Sequence, residues 1–278
     1  MEQRLNYYPG SQIEIISPDI QRGNLQYALF DFDGTISLIR EGWQGIMIPM
    51  MVEILLETPR HEDRQTIEAI VKEFVTRLTG KQTIYQMIQL CEEITARGGS
   101  PQEPAQYKAL YNQRLDRHIQ ERIAGLQSGR VKPEEMTVPG TFTWLNILKQ
   151  HGVVCYLASG TDEKYVQEES ALLGLTDYFE GIYGAQEDYK TFSKKMVIDR
   201  ILRTHRLHGS NFVAFGDGFV EIEDAKSVYG IAVGVASDEK NRCGIDEWKR
   251  NRLIAAGADL IIPDFREAGL LEAYLFPI

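Results

Sequence analysis

Cysteine is scarce in this chain: Cys91, Cys155 and Cys243 are the only three among 278 residues, odd in number and widely spaced. Such spacing builds neither a disulfide framework nor a metal knuckle, and it points to a reducing compartment. Positive charge is also in deficit, with 30 Lys and Arg against 40 Asp and Glu and a formal net charge of −10. No basic tract or interleaving of cations with aromatics stands out, which argues against nucleic acid as a partner. Long apolar runs are missing too; none approaches the ~20 residues of a membrane-spanning helix. Met1-Glu2-Gln3-Arg4 lacks the apolar stretch of a signal peptide. The expectation is a cytoplasmic protein with no membrane partner. There is no internal repeat and no low-complexity tract.

What is present is one unusual stretch, Tyr27-Ala28-Leu29-Phe30-Asp31-Phe32-Asp33-Gly34-Thr35. An apolar run long enough for one buried strand ends on two carboxylates spaced two apart. On extended backbone, side chains at i and i+2 point the same way, so Asp31 and Asp33 are expected to look into one site. Gly34 permits a tight turn. Two carboxylates this close repel unless a cation lies between them or one is protonated, which makes a Mg²⁺ site the cheaper explanation. An EF-hand register fails, because its first and last ligand positions would fall on Leu29 and Arg40.

The remaining chain divides by texture. From about residue 43 to residue 126, apolar residues recur at three- and four-residue spacing over 46–56, 67–78, 84–94 and 107–126, predicting about four antiparallel helices. Met47, Met50 and Met51 read as core of that bundle. After residue 133, continuous apolar runs at 153–158, 211–215, 230–235 and 259–262 predict strands buried on both faces of a parallel sheet. Helical patterns at 141–150, 194–203 and 248–256 lie between or beside them. Residues 1–26 form a leader with a possible strand at 13–16. The fold class is therefore α/β, a doubly wound, mostly parallel Rossmann-like sheet with an α-helical bundle inserted after its first main strand. The expected division is 1–40 and 135–278 for the α/β core and 41–134 for a helical cap.

Polar groups collect where strands end: Asp31 and Asp33, Ser159-Gly160-Thr161, and Gly216-Asp217-Gly218. In an open parallel sheet the carboxyl ends of neighbouring strands share one ligand crevice.

With these residues assembled, the chain resembles the haloacid dehalogenase superfamily, in particular its phosphatases with a helical cap after the first motif, similar to phosphoserine and phosphoglycolate phosphatases. The resemblance covers roughly 25–40 and 137–270. Asp31-Phe32-Asp33-Gly34-Thr35 resembles the first family motif in full, Ala158-Ser159-Gly160-Thr161 the second, and Gly216-Asp217-Gly218-Phe219-Val220-Glu221 the fourth. Lys194, 23 residues before Asp217, resembles the lysine of the third, with Lys195 and Lys190 as alternatives.

The resemblance implies a Mg²⁺-dependent hydrolase of a small phosphorylated metabolite, with Asp31 as nucleophile and Asp33 as general acid and base. It implies metal ligation by Asp31, the Asp33 backbone carbonyl and Asp217, and phosphate binding by Ser159, Gly160 and Lys194. Glu221 stands where the family usually carries a second Asp. It would reach the metal through a water, pair with Lys194, or be an exposed first-turn acid of a helix. Lys81 and Gln82 between two cap helices, and Arg40 and Trp43 at the cap junction, are candidate readers of the leaving group. A phosphomutase or phosphotransferase acting on a sugar phosphate, and a non-enzymatic binding protein that keeps the fold, are the alternatives. The sequence does not specify an oligomeric state.

Overall fold

The computed structural model describes residues 6–186, 193–205 and 209–277. Lys190 lies outside the described residues. The chain forms two compact units, one from Met1–Glu41 with Gly125–Ile278, the other from Gly42–Ala124.

The first unit is built on one seven-stranded sheet. Its strands are β1 (Glu14–Ile15), β2 (Tyr27–Phe30), β3 (Val154–Asp162), β4 (Gly181–Ala185), β5 (Phe212–Gly216), β6 (Ile231–Val235) and β7 (Leu260–Ile262). Their order is β1-β7-β6-β5-β2-β3-β4, and every pairing is parallel except that of β1 with β7. The expected doubly wound, mostly parallel sheet is what forms. β2 holds a central place because Ala28, Leu29 and Phe30 are fully buried, as a strand covered on both faces requires. The Phe30 ring stacks on Phe215 of β5 at 4.6 Å between centroids. Phe30 pairs in register with Leu157 of β3 and Phe215 of β5. The residues that follow these three, Asp31, Ala158 and Gly216, therefore lie side by side.

Two elements depart from the expectation. β3 continues through Ser159, Gly160 and Thr161 to Asp162, with a shift of register against β4 between Ala158 and Asp162. The helix after it therefore begins only at Glu163. β4 has no apolar run to reveal it: Gly181-Ile182-Tyr183-Gly184-Ala185 carries two glycines in five residues.

The helices of this unit are α5 (Thr141–Gln150), α6 (Glu163–Leu172), α7 (Lys194–His205), α8 (Phe219–Ser227), α9 (Glu247–Ala255) and α10 (Ala268–Leu275). The short leader strand β1 is held by more than its ladder, since Glu14, 3% exposed, takes Arg250 of α9 through two contacts of 2.6 Å.

The second unit is helical: α1 (Gln44–Leu56), α2 (Arg64–Leu78), α3 (Thr83–Ala96) and α4 (Pro104–Gln127), whose residues to 124 belong to it. The four helices fall on the four spans of three- and four-residue spacing. Asp63 caps α2 by accepting the Thr66 N–H at 3.0 Å, and Gly80 follows α2 at φ +95°. Met47, Met50 and Met51 are buried in this unit. Among the described residues no helix is long and apolar enough to cross a membrane.

Candidate active site

The site lies at the carboxyl ends of β2, β3, β5 and β6. Asp31 follows β2 directly, its backbone still held by a hydrogen bond from its N–H to the Phe215 carbonyl at 2.9 Å. Its side chain is buried, and Lys194 Nζ at the start of α7 donates to Oδ1 at 2.7 Å. The same ammonium donates to Glu221 in the first turn of α8, which is wholly buried. Of the three open readings of Glu221, pairing with Lys194 is the one seen, and an exposed acid is not. Gly216 makes room for it, because a Cβ there would come 2.9 Å from the Glu221 side chain. Lys195 faces elsewhere, with Nζ 2.6 Å from Ser227 Oγ.

Asp33 is organised by residues assigned other roles, or none, from the sequence. Thr161 Oγ1 donates to Asp33 Oδ2 at 2.8 Å, with Ser159 Oγ 3.4 Å from the same oxygen. Among the described residues Oδ1 has no hydrogen-bond partner, although Arg40 Nε stands 4.0 Å away. Arg40 is itself buried, its Nε and one terminal nitrogen donating to Glu169 of α6 at 2.6–3.2 Å. Arg40, a candidate for reading substrate, is thus engaged beside Asp33 by a carboxylate 129 residues away. Ser159 is buried and accepts the Thr161 N–H at 3.0 Å, and Gly160 lies between them in β3.

Asp217 closes the arrangement from the end of β5. Its N–H donates to Thr35 Oγ1 at 2.9 Å, tying the turn after β2 to the turn after β5. Gly34 sits at φ +79°, and a Cβ there would collide with the Asp217 carboxylate. The glycine thus serves two ends, the left-handed turn and the close approach of an acid. Asp217 also meets Lys249 of α9, whose Nζ lies 2.8 Å from Oδ2 and 2.7 Å from Glu239.

Lys249 is a site residue that sequence reasoning missed. It falls in the charged stretch Glu247-Trp248-Lys249-Arg250, which resembles a solvated helix face, yet it is only 7% exposed.

The electrostatics follow from burial. Burial pushes the Asp31 carboxyl from its ordinary 3.8 up to about 6; Lys194 opposes the shift, and Asp217 and Asp33 add to it. Burial likewise raises Asp33 from 3.8 to about 6, opposed by Arg40 and reinforced by Glu169 and Asp217. Glu239 is raised by burial, with Lys249 opposing. Burial alone would lower Lys249, but Asp217 and Glu239 outweigh it and hold the ammonium above the ordinary lysine range.

Six carboxylates (Asp31, Asp33, Glu169, Asp217, Glu221, Glu239) face three fixed cations, Arg40, Lys194 and Lys249. This excess of buried and half-buried acid, all oxygen donors, fits a hard divalent cation. Among the described residues no three His, Cys, Asp or Glu side chains are grouped to hold a metal by themselves. Two carboxylates with a backbone carbonyl remain compatible with Mg²⁺, which usually keeps several waters.

Trp43, Lys81 and Gln82 belong to the helical unit. Trp43 is half-buried before α1, Lys81 is exposed, and Gln82 is buried at the start of α3.

Comparison with curated proteins returned no match. Among solved structures, the fold is similar to a predicted phosphoglycolate phosphatase from Haemophilus somnus, at 15% identity and TM-score 0.59, covering 90% of this chain and 97% of that one. It is similar to β-phosphoglucomutase from Clostridium difficile, at 15% identity and TM-score 0.58, with the same coverage of 90% and 97%. A predicted phosphatase from Clostridium acetobutylicum matches at 18% identity and TM-score 0.58, covering 89% of this chain and 99% of that one. A family model described as haloacid dehalogenase-like hydrolase matches residues 25–228. That span takes in the strand ends carrying Asp31, Asp33, Ser159 and Asp217, together with Lys194 and Glu221, and the chain belongs to the haloacid dehalogenase-like hydrolases.

Proposed function

We propose that this hydrolase is a phosphatase acting on a small phosphomonoester metabolite through an aspartyl-phosphate on Asp31, with Mg²⁺ as cofactor. The observation that carries the reading is Asp31 buried beside Asp33 with a lysine fixed on one of its oxygens. Lys194 engages Oδ1, which leaves Oδ2 to attack phosphorus. As that P–O bond forms, the bond to the leaving oxygen breaks, and Asp33 gives its proton to that oxygen. A carboxyl raised to about 6 is suited to hold the proton until then. The resulting Asp33 carboxylate takes a proton from water, the water oxygen bonds to phosphorus, and the P–O bond to Asp31 breaks. Splitting hydrolysis in this way replaces one difficult step by two easier ones.

The remaining side chains hold and orient. Thr161 fixes Oδ2 of Asp33 by a hydrogen bond, and Arg40, 4.0 Å from Oδ1, places a positive charge beside the other oxygen. Ser159 Oγ accepts the Thr161 N–H, so its own proton is available, and at 3.4 Å Asp33 holds it only weakly. It would pass to a phosphoryl oxygen, as would one proton of Lys194. Mg²⁺, held by Asp31, the Asp33 backbone carbonyl and Asp217, would neutralise developing negative charge on the phosphoryl group. The helical unit would act as a cap that excludes water and reads the leaving group.

The test is hydrolysis of a generic aryl phosphate with and without Mg²⁺. Activity is expected to disappear on chelation and in Asp31→Asn, since an amide cannot form the acyl-phosphate. Undiminished activity in Asp31→Asn would sink the mechanism. The fold likeness to a β-phosphoglucomutase favours a second reading, transfer back to a sugar phosphate. In that case a sugar bisphosphate would accelerate turnover and an isomerised sugar phosphate would accumulate.

A further inference from the structure

Lys249 has no part in the scheme above, yet it is a buried ammonium set against one of the carboxylates assigned to the metal. Its Nζ lies 2.8 Å from Asp217 Oδ2, 2.7 Å from Glu239 Oε1 and 3.3 Å from Ser237 Oγ. Ser237 is buried and its hydroxyl donates to the Gly34 carbonyl at 2.7 Å. One ammonium therefore links the turn after β2, the turn after β5 and the loop after β6.

Resting on the reading of a one-metal phosphatase, we propose that Lys249 is a positioning residue that acts as a built-in counter-ion to Asp217. It fixes one carboxylate oxygen and leaves the other for the divalent cation. The ion pair with Lys249 at 2.8 Å holds Asp217 by one oxygen and so restrains rotation of its carboxylate. The ammonium also stands where a second cation would otherwise be drawn, between Asp217 and Glu239, whose acceptor oxygens both lie within 2.8 Å of it.

Two opposed consequences follow. Without the ammonium, the site gains net negative charge and attracts divalent ions more strongly. Without it, Asp217 also loses its fixed orientation, and turnover suffers. Loss of a lysine that merely supported the fold would lower cation affinity and turnover together.

The experiment is direct Mn²⁺ binding to the full-length protein by electron paramagnetic resonance, alongside aryl phosphate hydrolysis. For Lys249→Met we expect Mn²⁺ affinity to rise by about tenfold, the scale of one nearby unit charge removed. We expect kcat to fall by at least about tenfold, since lost positioning commonly costs that much or more. Glu239→Gln is expected to do the opposite to binding and weaken Mn²⁺, because it removes an acid and leaves Lys249 wholly to Asp217. Lys249→Arg, which keeps the charge, is expected to retain affinity near wild type, and it serves with Glu239→Gln if Lys249→Met does not fold. Unchanged or weaker Mn²⁺ binding in Lys249→Met, or unchanged binding in Glu239→Gln, overturns the proposal while wild-type activity leaves the phosphatase reading intact. Absence of Mn²⁺ binding and hydrolysis in the wild type overturns both.

Discussion

Lys194 Nζ lies 2.7 Å from Asp31 Oδ1 although 163 residues separate the two in the chain. The ammonium also reaches Glu221, so one cation is shared by two buried acids. Removing one partner of a buried pair leaves the other charge uncompensated, at a cost of about 3–5 kcal/mol. Lys194→Ala is therefore expected to lose both activity and thermal stability, while Lys195→Ala, at an exposed contact with Ser227, loses neither. The double variant Lys194→Met/Glu221→Leu should recover much of the melting temperature but none of the activity. Circular dichroism melts with parallel phosphatase assays check this. An active Lys194→Ala would remove the lysine from the mechanism.

Much of this site was legible because the signals were local. Asp31-Phe32-Asp33-Gly34-Thr35 and Gly216-Asp217 join apolar strands to acids within a few residues, and parallel topology brings such ends together. Less legible are roles that depend on distant partners. Arg40 reads in the sequence as a candidate reader of the leaving group, whereas the structure engages it with Glu169. Thr161 stands in the polar strand-end cluster of the sequence with no role of its own, and the extension of β3 aims its hydroxyl at Asp33. Lys249 sat in a charged helical stretch, where periodicity cannot tell a buried lysine from a solvated one. β4 escaped for a simpler reason, because two glycines break its hydrophobic pattern.

Gly34 and Gly45 make a matched pair of substitutions. At Gly34, alanine must adopt φ +79° and direct its Cβ at the Asp217 carboxylate. The backbone cost alone is about 1–2 kcal/mol, so Gly34→Ala is expected to lower the melting temperature and weaken Mn²⁺ binding. Gly45 lies in α1 at ordinary φ, with nothing near its Cβ. Gly45→Ala is expected to raise stability by about 0.5–1 kcal/mol and leave Mn²⁺ binding unchanged. Equal effects at the two positions would refute the role given to Gly34.

The raised carboxyls make a pH prediction with a definite sign. Asp31 and Asp33 titrate near 6 in the fold instead of near 3.8. The folded protein thus binds more protons than the unfolded chain between those values, and their contribution to stability is lost as pH rises through that window. In metal-free protein, the gain in melting temperature from Asp31→Asn/Asp33→Asn should be larger at about pH 8 than at about pH 5. Adding Mg²⁺ at the higher pH should stabilise the wild type and not the double variant. A gain that shrinks with rising pH would show that the two acids are not strained by burial.

The loop Gly80-Lys81-Gln82 offers a test of substrate reading. Lys81 is exposed and Gln82 buried. If the loop reads the leaving group, Lys81→Ala lowers kcat/KM for the natural substrate and hardly moves it for a small aryl phosphate. Gln82→Ala, cut from a buried position, should in addition lower the melting temperature of the protein. Equal effects of Lys81→Ala on both substrates would leave the lysine as a favourable charge after the C-terminus of α2.

Asp33→Asn separates the two chemical steps. Asparagine keeps the backbone carbonyl assigned to the metal and the Thr161 contact, but it can neither give a proton to the leaving oxygen nor take one from water. With an alkyl phosphate, whose leaving oxygen needs that proton, the first step should slow by about 10²–10⁴-fold. With a nitrophenyl phosphate the leaving group departs unaided, so the first step proceeds and the second stalls for want of a base. Rapid mixing should then show a burst of about one equivalent of nitrophenolate, followed by slow turnover, the signature of an accumulating covalent intermediate. Acid quenching in the burst should trap phosphate on Asp31. In the wild type, the alkyl phosphate rate should decline as pH rises above about 6, where Asp33 gives up its proton. The nitrophenyl rate should not follow that decline. A variant that hydrolyses alkyl phosphate at the wild-type rate, or a burst that is missing while turnover remains slow, would assign the proton transfers to another residue.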